Sequence, residues 1–409
     1  MVSSIKPFRF IRVWVILFVF LISCFGFAQG FLKKGVVLDS IAVIETKDES
    51  FALYLPKSFE TSKAYPIIFV FDPAARGRVG LTPFVESSEK HGIILVCSNN
   101  SRNGSFEKSF AVANNLFNHI FSKFKIDAGQ MYLSGFSGGS RLATAIAVLS
   151  EQFAGVIACG AGFSPNLSQT PSPLTKEFLY AAICGVKDMN YAEMWANKGY
   201  LTKTNFQHTL FSFDGGHQWP DKNEVGRAID WLFRIKQSND NPAFQKDVIT
   251  NDFLDDQHTT TLFLEANELL FAQENYERML LSYPVAFDLE SVRSKKKALV
   301  NSEPFKLAFK EFSQALEFEE KIKKKFFKRL QLDLNKKEIS FSWWQKEAEK
   351  LNQLEKKGGK ETARMVSRVK FAIVAAVHER GYTNPLLEKK KDYHSELIKK
   401  FRQTFYPVD

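Results

Sequence analysis

Gln130-Met131-Tyr132-Leu133-Ser134-Gly135-Phe136-Ser137-Gly138-Gly139-Ser140-Arg141 is a short apolar run that ends on a serine set among glycines. Its centre, Gly135 to Gly139, has the G-x-S-x-G form of a nucleophile elbow, a sharp strand-to-helix turn that holds a serine in a strained backbone conformation. Side chains must be almost absent around such a turn, and Gly135, Gly138 and Gly139 supply the clearance. Met131-Tyr132-Leu133 follows the break Asp127-Ala128-Gly129 and reads as a short buried strand, while Arg141 to Leu149 reads as an alanine-rich apolar helix. The free N–H groups and dipole at that helix start favour negative charge beside Ser137, which makes the Gly138 N–H a candidate oxyanion donor.

A serine in this position needs a base, and the chain has seven histidines. His119 falls in the helical run Ala111 to Phe124, His208 in the alternating strand Phe206 to Phe213, and His258, His378 and His394 in a region of different character. His217 lies in Phe213-Asp214-Gly215-Gly216-His217-Gln218-Trp219-Pro220, between that strand and the helix Asn223 to Lys236. A loop at the C-terminal end of a strand opens on the same rim as the elbow, so His217 is the expected base. The orienting acid belongs between serine and histidine in chain order. Asp188, in Gly185-Val186-Lys187-Asp188 after the buried strand Phe178 to Cys184, is preferred to Asp214, which stands too close to the histidine along the chain.

A second oxyanion donor is expected after an earlier strand, and Tyr65 to Phe71, which runs into Asp72-Pro73-Ala74-Ala75-Arg76-Gly77, is the best candidate. With Gly135 to Gly139, Gly185 to Asp188, and Gly216-His217-Gln218-Trp219-Pro220, the chain resembles the α/β-hydrolases. It is most similar to the secreted esterase branch of polyhydroxybutyrate depolymerase-like and feruloyl-esterase-like proteins. The resemblance covers roughly residues 38 to 240. It implies a doubly wound, mostly parallel sheet, a Ser137-Asp188-His217 triad that needs no metal or cofactor, and a carboxylic-ester substrate. One departure stands out: the family usually has His-Gly where this chain has Asp72-Pro73. Proline has no N–H, so Ala74 is the expected second donor. The same change places Asp72 or Arg76 among the expected substrate contacts, and Trp219 is expected there as well. The polar loop Asn99 to Gly104, after the strand Ile93 to Cys97, reads first as a plain polar loop and second as a contact for a polar substrate such as a sugar, through Asn99.

Lys6, Arg9 and Arg12 precede the apolar run Val13 to Ile22, which is short for a membrane span and has the form of a signal peptide over residues 1–28. Gly26-Phe27-Ala28 suits cleavage, and Leu21-Ile22-Ser23-Cys24 resembles a lipobox that would lipidate Cys24; export to the periplasm or beyond is expected either way. Losing the three basic residues lowers the formal charge of +10 by three, and no arginine-aromatic recognition stretch argues for nucleic acid. Cys97, Cys159 and Cys184 each sit in an apolar strand-like run and read as buried hydrophobes.

At 409 residues and 45% hydrophobic content the chain can fill two cores. Only Gly358, Gly359 and Gly381 of its 22 glycines lie beyond residue 245. A polar stretch, Gln237 to Pro242, is the expected linker between a hydrolase domain over 29–240 and an all-α domain over 246–409. Apolar residues at spacings of three and four in Leu262 to Leu281, Phe305 to Leu332, Trp343 to Leu354 and Arg364 to His378 predict five to seven helices. Ala266 to Tyr276 resembles half of a tetratricopeptide unit, without a clean repeat. Residues 246 to 290 are acidic and the remainder basic, a pattern read first as solvated, mutually paired helix faces and second as a contact for a protein or the envelope. The leading reading is an exported esterase acting on small or polysaccharide-linked esters. The alternatives are a serine peptidase on the same fold, and a binding protein whose hydrolase domain is incidental.

Overall fold

The computed structural model describes residues 33–164, 166–173, 175, 177–240, 246–283, 287, 289–336, 338–383 and 391–407. The expected signal segment, with Cys24, lies outside them. Eight strands form one sheet: β1 (Val37–Ala42), β2 (Ser50–Tyr54), β3 (Tyr65–Phe71), β4 (Ile94–Ser98), β5 (Ile126–Phe136), β6 (Gly155–Cys159), β7 (Leu179–Gly185) and β8 (His208–Phe213). Their spatial order is β1-β2-β4-β3-β5-β6-β7-β8, with β2 antiparallel to both neighbours and every later pairing parallel.

The parallel strands are apolar on both sides because both faces are covered. Ile67 to Phe71 are at most 1% exposed, with Ile67, Phe69 and Phe71 in one core and Ile68 and Val70 in the other. One face takes α1 (Gly77–Leu81), α2 (Val85–His91) and α6 (Lys222–Asp240); the other takes α3 (Phe106–Lys123), α4 (Gly138–Ser150) and α5 (Tyr191–Lys203). The Asp127-Ala128-Gly129 break is a bulge inside β5 rather than its start. Tyr65 pairs with Ile126 and Ile67 with Met131, and the extra residues turn on a Gly129 N–H bond to Asp127 Oδ1. Likewise α6 runs to Asp240, through the first four residues of the expected linker. Cys97, Cys159 and Cys184 are buried free thiols, and burial pushes that of Cys159 up to about 12.

Beyond α6 the described residues are helical: α7 (Lys246–Glu265), α8 (Leu269–Ser282), α9 (Glu290–Asn301), α10 (Glu303–Lys336), α11 (Phe341–Lys357), α12 (Lys360–Thr383) and α13 (Lys391–Phe405). The tetratricopeptide-like stretch is the turn into α8 and its first two turns. A core of Phe326, Leu330, Trp344, Leu351, Val366, Val369, Ile373 and Phe401 binds α10 to α13 together. Leu270, Phe271, Phe305 and Phe312 belong instead to the core on the α3–α5 face of the sheet.

Helix α8 covers the open edge of the sheet. An edge strand carries unpaired N–H and C=O groups that must be satisfied or solvated. On β8, Ser212 N–H and Oγ–H donate to Glu274 (3.2 and 2.8 Å), and Leu210 C=O accepts from Arg278 Nη1 (3.0 Å). Glu274 and Arg278 are buried. Burial pushes the Glu274 carboxyl up and lowers Arg278 to about 10.

Candidate active site

The elbow forms at the β5–α4 junction. Ser137 has φ 54° and ψ −120°, a left-handed conformation for a residue with a side chain, and its N–H donates to Cys159 C=O at 2.8 Å. A Cβ at Gly135 would stand 2.3 Å from Gly139 C=O, and one at Gly139 would stand 1.9 Å from Phe71 C=O, so the turn closes only with glycine at both positions. Gly138 opens α4, where its N–H has no acceptor within the helix.

The loops after β7 and β8 lie against each other, with Val186 N–H on Phe213 C=O and Lys187 N–H on Gly215 C=O, both at 2.9 Å. They bring His217 Nε2 to 3.0 Å from Ser137 Oγ and His217 Nδ1 to 2.8 and 2.9 Å from the two Asp188 oxygens. Asp188 is fully buried and also accepts the Asn190 N–H at 2.9 Å. Asp214, the competing acid, instead pairs at the surface with Lys187 (2.9 Å). The Phe136 ring lies 4.7 Å from the His217 ring and 5.4 Å from Trp219. The remaining histidines are engaged elsewhere or lie off this rim; His119, for example, accepts the Ile44 N–H, and His91 meets Asp230 at 2.6 Å.

The expected substrate contacts have other partners. Asp72 is fully buried, and its carboxylate accepts the Ala74 N–H (2.8 Å), the Arg76 guanidinium (3.0 and 2.9 Å) and Trp219 Nε1–H (2.8 Å). Burial alone would raise the Asp72 carboxyl, but these donors outweigh it and hold it below its ordinary value. Asp72 therefore ties the β3 loop to the histidine loop, and Trp219 is the far end of that tie. Arg76 is half exposed and spends its fork on Asp72. Asn99 stitches loops, accepting the Gly77 N–H (2.9 Å) and donating to Asp39 and Ser50. Ala74, the expected second oxyanion donor, has its N–H turned onto Asp72, because an aspartate two residues earlier captures it in a tight turn.

Three residues of the helical region that the sequence did not single out reach this rim. Arg368, fully buried on α12, donates from Nη1 to Val186 C=O at 2.8 Å and from Nε to Glu319 at 2.6 Å. Lys323 on α10 donates to Met189 C=O at 2.7 Å and pairs with Glu319 at 2.6 Å. Phe371 lies 5.5 Å from the His217 ring, one turn beyond Arg368. The loop that carries Asp188 is thus gripped on both sides by cations from helices.

No family model matches the chain, and no curated protein matches it. Solved structures similar to it include a thermostable esterase, 18% identical over 48% of this chain and 62% of its own, with a TM-score of 0.37. An S-formylglutathione hydrolase (FrmB) from Staphylococcus aureus is 13% identical over 48% of this chain and 95% of its own (TM-score 0.39). A ferulic acid esterase is 19% identical over 47% of this chain and 94% of its own (TM-score 0.37). The strand order, with its one antiparallel strand inside the sheet, and the serine at positive φ between β5 and α4 give this protein the α/β-hydrolase fold.

Proposed function

We propose that the protein is a serine hydrolase that cleaves carboxylic esters. The observation that carries this reading is the unbroken chain from Asp188 through His217 to Ser137, closed at 2.8 and 3.0 Å with the serine on a strained elbow. In this reading Ser137 Oγ attacks the ester carbonyl while His217 Nε2 takes its proton. Asp188 holds the proton on Nδ1 and stabilises the imidazolium. His217 then returns its proton to the leaving alcohol, and a water activated by the same imidazole releases the acid from Ser137. The Gly138 N–H, at the positive end of α4, stabilises the charge that develops on the carbonyl oxygen.

Small and carbohydrate-linked esters are the proposed substrate class. Export belongs to the same proposal and rests on Lys6, Arg9 and Arg12 before the apolar run Val13 to Ile22. The test is release of p-nitrophenol from short-chain and aromatic acyl esters by the wild type and by Ser137→Ala. The reading expects turnover that falls by at least about 10⁴-fold in the variant. Equal turnover in both, or none in the wild type, would overturn it.

A further inference from the structure

A second oxyanion donor is missing from the loop after β3. Pro73 has no N–H, the Ala74 N–H is held by Asp72 Oδ1, and the Ala75 N–H is held by Asp72 C=O at 3.0 Å. The Arg76 N–H also points at Asp72 Oδ1 (3.3 Å), and the Gly77 N–H is taken by Asn99 Oδ1 (2.9 Å). Every backbone donor from Asp72's successor to Gly77 is spent inside the protein. The Gly138 N–H would then face the developing charge alone, although acyl transfer by this mechanism draws heavily on paired donors.

A polar side chain stands beside Gly138, the residue after the nucleophile. The carboxamide of Asn103 lies against Gly138 so closely that a Cβ on that glycine would stand 1.9 Å from Asn103 Oδ1 and 2.8 Å from its Cγ. Only glycine at 138 lets Asn103 occupy this place. The backbone fixes the approach: Asn103 N–H donates to Pro73 C=O at 2.9 Å, and Ala74 and Arg102 form an antiparallel bridge. The carboxamide itself has no hydrogen-bond partner among the described residues, and a half-turn about χ2 brings Nδ2, with two donors, to the position of Oδ1.

We propose that Asn103 is a catalytic residue whose side-chain N–H completes the oxyanion hole with the Gly138 N–H, replacing the backbone donor that Asp72 has captured. The proposal rests on the serine-hydrolase reading of the site. It also gives Gly138 a second purpose, because the residue after the nucleophile must lack a side chain for the carboxamide to reach the oxyanion.

The test compares wild type, Asn103→Ala and Asn103→Asp on one p-nitrophenyl ester, beside Ser137→Ala. The second variant keeps the shape and removes the donor. We expect kcat to fall about 10²- to 10³-fold in both Asn103 variants with KM within about threefold, the signature of an interaction made in the transition state. A boronic acid that forms a tetrahedral adduct on Ser137 should lose affinity in parallel, whereas a purely structural role would move the melting temperature and leave that affinity alone. Retention of kcat within about threefold in both variants, or a loss of kcat matched by a lowered melting temperature with adduct affinity unchanged, overturns the proposal while the hydrolase reading stands. Absence of ester turnover in the wild type overturns both.

Discussion

The sheet-bearing half of the chain and the helical half meet at the acid loop, and they hold it by different means. The sheet half places Ser137, Asp188 and His217 through backbone: strand ends, glycine turns and loop-to-loop hydrogen bonds such as Lys187 N–H to Gly215 C=O. The helical half holds none of these three residues, and among the described residues it reaches their loops through side chains. Arg368 and Lys323 grip the carbonyls of Val186 and Met189 on either side of Asp188, Phe371 approaches His217, and Glu274 and Arg278 cap the edge of β8. A region that holds none of Ser137, Asp188 and His217 still supports the loops on which Asp188 and His217 stand.

The largest expected effect comes from dividing the two halves. A chain ended after Asp240 strips Leu270, Phe271, Phe305 and Phe312 from the shared core. At roughly 1.5–3 kcal/mol per buried side chain, the loss is comparable to the whole stability of an ordinary domain. The truncated chain should fail to melt cooperatively in circular dichroism and show no ester turnover; full activity on small esters would break the comparison. Next comes Arg368→Ala, which leaves Glu319 buried with only Lys323 and leaves Val186 C=O without its donor. A destabilisation of about 3–5 kcal/mol in urea unfolding is expected, with a fall in kcat.

Asp72→Asn sharpens the sheet side. The Asp72 carboxyl is held below its ordinary value, so its contribution is complete above the unfolded-state value near pH 4 and is lost as pH falls through the folded one. The variant should be less stable by about 1–3 kcal/mol at neutral pH, with a lower melting temperature and a flatter acid limb in a plot of melting temperature against pH. Phe371→Ala is the mildest: removing one ring contact from His217 should lower kcat by less than about tenfold with little change in stability.

The turn at Ser137 and its meeting with His217 and Asp188 were legible in the sequence because each signal is local: a serine among glycines, and strands followed by short loops. The strands buried on both faces were legible for the same reason, as runs such as Tyr65 to Phe71. What escaped was pairing at long range. Asp72 and Trp219 stand 147 residues apart, so nothing near Asp72 announced that its carboxylate holds the Trp219 indole. The short strands β1, at one edge of the sheet, and β2 beside it lack a long apolar run and gave no comparable signal. In the helical half the basic residues read as solvated faces, yet Arg364 and Arg368 are buried. Their signal was present: they fall at a spacing of four beside the apolar stripe of Met365, Val366, Val369 and Ile373, where a surface arginine would not stand.

In the proposed mechanism the relay through His217 makes Ser137 the one nucleophile of this site. Covalent labelling with a fluorophosphonate, mapped by mass spectrometry in wild type and His217→Ala, tests it most directly. A single phosphonyl adduct is expected on Ser137, with its formation slowed by at least about 10³-fold without the histidine. An adduct on another residue, or equal labelling in the two proteins, would contradict it.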